Sequence, residues 1–268
     1  MIKKLPEDIF LNKEILNIFP ISYVRTGSNV YGLSSKINQE FAGIHIMDTM
    51  NYLKHPDFRE KEDILRVSLS KNNKLTTEDH KNKFYGITSF EIWKFISLYL
   101  NGSIVTYDIL YLSPEYINPQ CEQIMNTLRS GITNKIGISA KTYVMNNWQK
   151  DRTDQRKIIM SFYRLLQAIT FLREEEYIIN AKTLWEEYPQ FKKYEYGYRV
   201  FSKFVDRDFE KTKLTEKEIT GTAKELEMLI DEINKAFIGT RLPDTTPKKL
   251  LDYVMKDIVE KRMQLHLS

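Results

Sequence analysis

Helical periodicity dominates the second half of this chain. From about Asp154 onwards, apolar residues recur every three or four positions, which is the spacing of the buried face of an α-helix. The pattern runs through Asp154–Leu172, Ala223–Phe237 and Pro247–Arg262. Pro247 suits the first turn of a helix, because the amide hydrogen that proline lacks has no partner within the helix there. The second half of the chain therefore predicts a helical bundle.

The first part of the chain has a different texture, with short apolar segments separated by turn-forming residues. Ile21–Val24 and Phe41–Met47 predict two strands. Ile104–Leu112 is nearly continuous in β-branched, aromatic and leucine residues and precedes a proline, which favours a central strand. Ser89–Leu100 predicts a helix that Ser89 could cap.

Together these patterns predict an α+β fold with two parts. Residues 1–150 would form a small mixed sheet with flanking helices, and residues 151–268 would form a helical domain packed against it. The chain has 268 residues, which is long enough for a sizeable hydrophobic core.

Composition excludes several classes of protein. The 40 Lys and Arg nearly balance the 36 Asp and Glu, so a role mainly in coating nucleic acid is disfavoured. One cysteine, Cys121, allows neither a disulfide framework nor a zinc cluster. No apolar run approaches the roughly 20 residues of a membrane helix, and the first residues lack a hydrophobic signal core. We therefore expect a protein of the reducing cytoplasm without a membrane partner.

The first candidate for chemistry is the pair Gly27-Ser28, which follows the first predicted strand. Glycine lets the backbone come close to a ligand, and amides and a hydroxyl at such a turn can bind a phosphate. A helix following the turn would add the positive end of its dipole. The alternative is an ordinary turn, which is the more common role of such a pair.

Oxygen-bearing side chains form the second and third candidates. Asn38 and Glu40 lie two residues apart where a strand begins, so both point to one face and could bind a hard cation such as magnesium. Their alternative is a polar strand start that faces water. Asp108 interrupts the apolar segment Ile104–Leu112, where a carboxylate must be paired or bind a metal. A role as third metal ligand or base is about as expected as the alternative, which is a salt bridge or a strand with one face in water.

In this order, the three features resemble the nucleotidyltransferase fold of the DNA polymerase β superfamily. The segment from Arg25 to Ser35 is similar to the opening motif of stand-alone, YcgL-like predicted nucleotidyltransferases of bacteria and phages. That motif reads Gly-Ser-x-x-Tyr-Gly-Leu, followed by Ser-Asp-x-Asp and then a glycine. Gly43 matches this last glycine, which places Asn38 and Glu40 at the two Asp positions.

The resemblance continues over nearly the whole chain. The segment 90–95 looks like a helix of the family, and Asp108 falls on the family's third carboxylate. Lys157 to Leu166 resembles a further helix, in which Lys157 and Arg164 match and Ser161 replaces a histidine. The segment 239–260 looks like the family's closing helix.

The resemblance implies transfer of a nucleoside monophosphate from an NTP to a hydroxyl on RNA, a small molecule or a protein, with Mg²⁺ or Mn²⁺ as cofactor. Gly27 and Ser28 would bind the triphosphate. Glu40 and Asp108, with weaker help from Asn38, would hold the metal, and Asp108 would activate the acceptor hydroxyl. Lys157 and Arg164 would neutralise phosphate charge.

Departures from the family motif support a second hypothesis. Asn38 is neutral where the family has Asp, which should weaken binding of a divalent ion. Glu40 is longer than the Asp it replaces. The chain could therefore be a catalytically degenerate member that binds a nucleotide, an RNA end or a protein partner, as an inhibitor, an antitoxin-like factor or a phage accessory protein in the host cytoplasm. We rank the two hypotheses nearly level, with the nucleotidyltransferase slightly ahead.

Two weaker signals remain. Tyr188 to Phe204 is rich in aromatic residues with interleaved Lys and Arg, a composition that could stack on and neutralise a nucleic acid. A half-buried segment is the favoured alternative. Three scattered histidines have no metal-ligand spacing, so we expect no functional role for them; they are His45, His55 and His80.

Overall fold

The computed structural model of this chain describes residues 18–33, 40–47, 64–70, 75–76, 83–148, 154–204 and 213–267. Asn38, His55 and His80 lie outside these residues, so their predicted roles are not addressed by the structure. None of the helices within the described ranges is long and apolar enough to cross a membrane.

A six-stranded mixed sheet forms the first part, with strand order β4-β3-β5-β2-β1-β6. Its central strands β2 and β5 are parallel, and the other neighbours pair antiparallel. The strands are β1 (Ile18–Thr26), β2 (Glu40–Met47), β3 (Ile64–Ser70), β4 (Leu75–Thr76), β5 (Lys83–Glu91) and β6 (Pro114–Ile117).

Nine α-helices lie within the described ranges. They are α1 (Ile92–Leu100), α2 (Ile104–Tyr111), α3 (Glu122–Ser130), α4 (Lys135–Asn147), α5 (Gln155–Glu174), α6 (Ala181–Glu187), α7 (Glu195–Phe204), α8 (Glu216–Gly239) and α9 (Lys248–Leu267). Helix α5 packs against α4, α7 and α8, whereas α9 leaves this group and packs on α3 and β2. The architecture is α+β, as predicted, and mostly helical.

The sequence periodicity located most of these elements. Ile21–Val24 and Phe41–Met47 lie within β1 and β2, and the three helical segments lie within or beside α5, α8 and α9. The helix predicted from Ser89 begins instead at Ile92, because Ser89 belongs to β5 and the side chain of Glu91 caps the helix by accepting from the Trp93 amide at 2.7 Å.

The prediction of a strand at Ile104–Leu112 was wrong, since residues 104–111 form α2. Six of its eight residues are buried, so side chains all round the helix contact protein. A continuous apolar segment of this length fits a buried helix as well as a buried strand, and its β-branched residues do not outweigh tertiary contacts. The hydroxyl of Thr106 donates to the Ser103 carbonyl at 2.6 Å in the first turn.

One hydrophobic core joins residues on both sides of position 150. It includes Ile21 and Ile44 of the sheet together with Phe162 and Leu229 of the helices. The sheet contributes strands that are buried on both faces at their centres, as β2 shows with seven buried residues after an exposed Glu40. The sheet and the helical part are therefore continuous through their apolar side chains.

Gly43 has a specific steric role in this core. It lies opposite Tyr23 in the β1–β2 register, and a Cβ atom at Gly43 would come within 2.1 Å of the Tyr23 ring. The fully buried Tyr23 ring thus lies across the glycine. The glycine that matches the family motif is required here by contact with an aromatic neighbour.

Candidate functional site

One end of the sheet brings three predicted site residues together. Thr26 at the end of β1 lies opposite Glu40 at the start of β2, and Gly27 and Ser28 follow Thr26 directly. Glu40 is exposed and also lies opposite Gly86 of β5. The Gly-Ser turn and a carboxylate therefore share this end of the sheet, as the sequence predicts.

The loop of residues 27–33 consists of hydrogen-bonded turns. Gly27 has φ 106°, a left-handed conformation that favours glycine. The amide of Val30 donates to the Gly27 carbonyl at 3.0 Å, and the amide of Leu33 donates to the Ser28 carbonyl at 2.8 Å. A phosphate at this loop would thus bind at its first residues, Gly27 and Ser28. The helix expected after the turn is not found within residues 28–33.

The helical part holds the loop in place. The Tyr31 carbonyl accepts from the Ala181 amide at 2.9 Å, at the start of α6. Gly32 has φ 72° and lies against Asn180, whose Nδ2 would be 3.2 Å from an added Cβ. Tyr31 and Leu33 are both buried. The Gly-Ser loop is therefore docked on the start of α6.

Asp108 lies on α2 and forms a buried ion pair with Arg164 of α5. Nη1 of Arg164 is 2.8 Å from Oδ1 of Asp108, and Nη2 is 2.6 Å from Oδ2. Only 4% of Asp108 and 5% of Arg164 is exposed, so this is a desolvated, two-pronged pair. It corresponds to the salt bridge that was the alternative to metal coordination. Asp108 and Arg164 lie close together, but they bind each other and not a metal or a phosphate.

Two tyrosine hydroxyls complete the environment of the Asp108 carboxylate. Tyr31 donates to Oδ2 and Tyr177 donates to Oδ1, each at 2.8 Å. Burial, and then the charge of Asp108, raise the pKa of both tyrosines above its usual value, so they stay protonated donors at neutral pH. Each carboxylate oxygen thus accepts two hydrogen bonds.

Arg164 is held in the interior. Its Nη1 also donates to the Gln167 side chain at 2.8 Å, and its Cζ lies 4.6 Å from the centre of the Tyr31 ring. Burial lowers its pKa, but the charge and hydrogen bonds of Asp108, together with Tyr31 and Tyr177, outweigh this effect and raise the pKa, so the guanidinium remains charged. In this conformation it does not reach the surface, where a phosphate would bind.

Lys157 lies in the first turn of α5, seven residues before Arg164 and therefore on nearly the same side of the helix. Its Nζ is 3.6 Å from Asp154, the residue that caps α5. Of the two predicted nucleotide-binding residues that are cations, Arg164 is buried and Lys157 is partly exposed.

The predicted metal ligands that the structure describes do not lie in one cluster. The described ranges hold no group of three or more His, Cys, Asp or Glu that could bind a metal. Of the predicted ligands, Glu40 is exposed, and both Asp108 oxygens already bind Arg164.

A second buried polar cluster was missed by the sequence reasoning. Nδ1 of His45 lies 2.8 Å from the Ser89 hydroxyl, and Arg262 of α9 forms an ion pair with Glu91, which is fully buried. Burial, with the nearby Arg262 charge, lowers the pKa of His45 to about 3. His45 lies within the predicted strand Phe41–Met47, but no local signal pairs residues 91 and 262, which are 171 positions apart.

Comparison of the chain with protein-family models, with curated proteins and with solved structures found no match.

Proposed function

We propose that this chain is a nucleotide-binding protein of nucleotidyltransferase type that has lost transfer activity. The nucleotide would bind at the end of the sheet formed by Gly27, Ser28 and Glu40, where the loop is docked on α6. Its Asp108 would join the sheet-side and helical parts instead of holding a metal. This is the second of the two hypotheses drawn from the sequence.

The ion pair between Asp108 and Arg164 is the observation that carries this proposal. The Asp108 carboxylate accepts two hydrogen bonds from Arg164, one from Tyr31 and one from Tyr177. These four bonds use its lone pairs, so none is directed at a cation. Metal binding there would leave the Arg164 guanidinium buried without its counter-charge, which is strongly unfavourable. The neutral Asn38 at the first acidic position weakens metal binding in the same direction.

An active, Mg²⁺-dependent nucleotidyltransferase is the second candidate. It is supported by the position of Glu40, an exposed carboxylate next to the Gly-Ser loop at the start of a central strand. Such a group could bind a divalent ion together with the phosphates of an NTP, because magnesium commonly combines one or two carboxylates with substrate oxygens.

Calorimetric titration of the full chain with each NTP, with and without Mg²⁺, tests the proposal. We expect one or more NTPs to bind, with affinity that depends on Ser28 and little on Mg²⁺. Ser28→Ala should weaken binding, whereas Ser202→Ala, at an exposed serine of α7, should not. Absence of NTP binding would contradict a nucleotide site of either kind.

Release of pyrophosphate in the same samples separates the two candidates. The degenerate protein should release none, with or without an added RNA acceptor. Mg²⁺-dependent release that Glu40→Gln abolishes would instead establish the active transferase. Asn38→Asp should increase this release in an impaired enzyme, because it restores a charged ligand beside the metal.

A further inference from the structure

A stacked aromatic pair joins α6 and α7 in the helical part. The rings of Trp185 on α6 and Tyr198 on α7 stack with centroids 4.8 Å apart and planes inclined by 21°. Trp185 is 5% exposed, whereas Tyr198 is 47% exposed. Trp185 also contacts the rings of Phe162 and Phe201 in the core. Tyr198 therefore presents an aromatic ring to solvent that is supported from the inside by Trp185.

A cation and a carboxylate line the same cleft. The cleft has a volume of about 430 Å³ and is lined by Trp185, Tyr198, Lys192 and Glu186. The neighbouring Lys193 pairs with Glu232 and Lys203 pairs with Glu218. Lys192, by contrast, is exposed and makes no ion pair with any residue that the structure describes. An anionic group next to the aromatic surface would therefore meet an available ammonium.

Most of the aromatic segment noted in the sequence is not available for stacking. Phe191, Tyr194, Phe201 and Phe204 are buried in the core, as the favoured alternative for this segment predicts. Tyr198 is the large aromatic residue of α7 that remains exposed. Of the aromatic and basic residues in this segment, Tyr198 and Lys192 are therefore the ones that we consider for contact with a nucleic acid.

Helix α6 connects this surface with the Gly-Ser loop. Its N-terminus, at Asn180 and Ala181, contacts Gly32 and Tyr31 of the loop. Trp185 follows Asn180 by five residues, which is about 7 Å along the helix axis. The Gly-Ser loop and the aromatic pair therefore both contact α6.

We propose that Tyr198, supported by Trp185 and Lys192, is a stacking platform for one base of a single-stranded nucleic acid whose end lies at the Gly-Ser loop. This inference rests on the proposed function, because the loop is the nucleotide site. It names single-stranded nucleic acid as the partner. The strand's phosphates would follow the Lys192 side, since the Glu186 carboxylate repels them.

The expected affinities favour a strand over a free nucleotide. One base stack contributes a factor of about five to 150, and one exposed ion pair contributes at most about fivefold. Together these factors leave a mononucleotide with a dissociation constant no tighter than about 1 mM. A strand adds contacts at the loop and elsewhere, so it can bind more tightly at the same platform.

Fluorescence anisotropy of a labelled oligoadenylate about 12 nucleotides long, with the full chain, tests this inference. Tyr198→Ala should weaken binding about five- to 150-fold, and Tyr198→Phe should retain it because the ring remains. Lys192→Glu should weaken binding and reduce its salt dependence. Tyr253→Ala on α9, which removes a tyrosine that is 41% exposed, is the matched control and should have no effect.

Several outcomes would overturn the inference. One is oligonucleotide binding that is unchanged in both Tyr198→Ala and Lys192→Glu. Another is a loss of binding in Tyr253→Ala as large as the loss in Tyr198→Ala. Failure of the platform is distinguishable from failure of the proposed function. NTP binding that depends on Ser28, without Tyr198 dependence of strand binding, would reject the platform alone, and the reverse pattern would reject the NTP site alone.

Discussion

The guanidinium of Arg164 binds both carboxylate oxygens of Asp108, through hydrogen bonds of 2.8 and 2.6 Å. This pair connects α2 with α5 in the interior, and Tyr31 connects it with the Gly-Ser loop. A buried charge pair adds little net stability, but loss of one partner is strongly destabilising because it leaves the other charge buried and uncompensated. The pair therefore makes the loop, α2 and α5 dependent on one another.

Asp108→Asn should destabilise the protein strongly. The substitution leaves the Arg164 charge buried without a counter-charge, which typically costs about 3–5 kcal/mol. Equilibrium unfolding in urea, monitored by circular dichroism, measures the change. Glu260→Gln is the matched control, because it removes an exposed pair with Lys256 at 3.9 Å and should change the free energy of unfolding by less than about 1 kcal/mol. Equal, small effects of the two substitutions would show that the Asp108 pair is not structural.

Tyr31→Phe and Tyr177→Phe provide a matched pair of variants for the nucleotide site. Each removes one hydroxyl that donates to Asp108 at 2.8 Å, so each should lower the free energy of unfolding by a similar amount, about 1.5–3 kcal/mol. Tyr31 belongs to the Gly-Ser loop and Tyr177 does not. Only Tyr31→Phe should therefore also weaken NTP binding, measured by calorimetry. Equal loss of NTP binding in both variants would indicate a general effect on the fold.

Local sequence patterns predicted the strands β1 and β2 and the helices α5, α8 and α9. The apolar residues of α5 recur at helical spacing although most of this helix is buried, because its length makes the period recognisable. α2 was mistaken for a strand because it is short, six of its eight residues are buried and its apolar residues are nearly continuous. A short, continuous apolar segment fits a buried strand and a buried helix equally well.

The candidate site was predictable to a similar, limited extent. Its position at Gly27, Ser28 and Glu40 follows from residues adjacent in sequence or in strand register. Asp108 was recognised as a buried carboxylate that needs a partner, but sequence alone does not identify the partner. Arg164 lies 56 residues away in the sequence and was itself predicted to neutralise phosphate charge. Pairing of two distant charged side chains depends on how α2 and α5 pack, which no local pattern encodes.

Gly43→Ala should destabilise the sheet through a steric clash. The added Cβ would come within 2.1 Å of the Tyr23 ring and within 2.8 Å of the Ser22 carbonyl oxygen, and neither can move freely between paired strands. Overpacking of this kind costs about 1–3 kcal/mol or more. Gly239→Ala is the control, since a Cβ there would meet no atom within 4 Å. Thermal unfolding that is unchanged in Gly43→Ala would show that the strands can separate to accommodate the methyl group.

His45 should make the stability of the protein depend on pH below neutrality. Its pKa is lowered to about 3 in the folded state, against an ordinary value near 6.5, because burial and the Arg262 charge disfavour the imidazolium. The unfolded chain therefore binds a proton that the folded chain does not. The stabilising contribution is complete above about pH 6.5 and decreases as the pH falls towards 3, by about 1.4 kcal/mol per pH unit.

His45→Gln isolates this contribution, because glutamine can still hydrogen-bond Ser89 but does not titrate. Urea unfolding of both proteins between about pH 5 and pH 7 avoids the range in which most carboxylates are protonated. The difference in free energy of unfolding between wild type and His45→Gln should shift in favour of the variant as the pH falls through this window. Parallel pH profiles for the two proteins would mean that His45 takes up its proton in the folded state over the same pH range as in the unfolded chain. This result would contradict a neutral His45 imidazole in the cluster that joins α9 to the sheet.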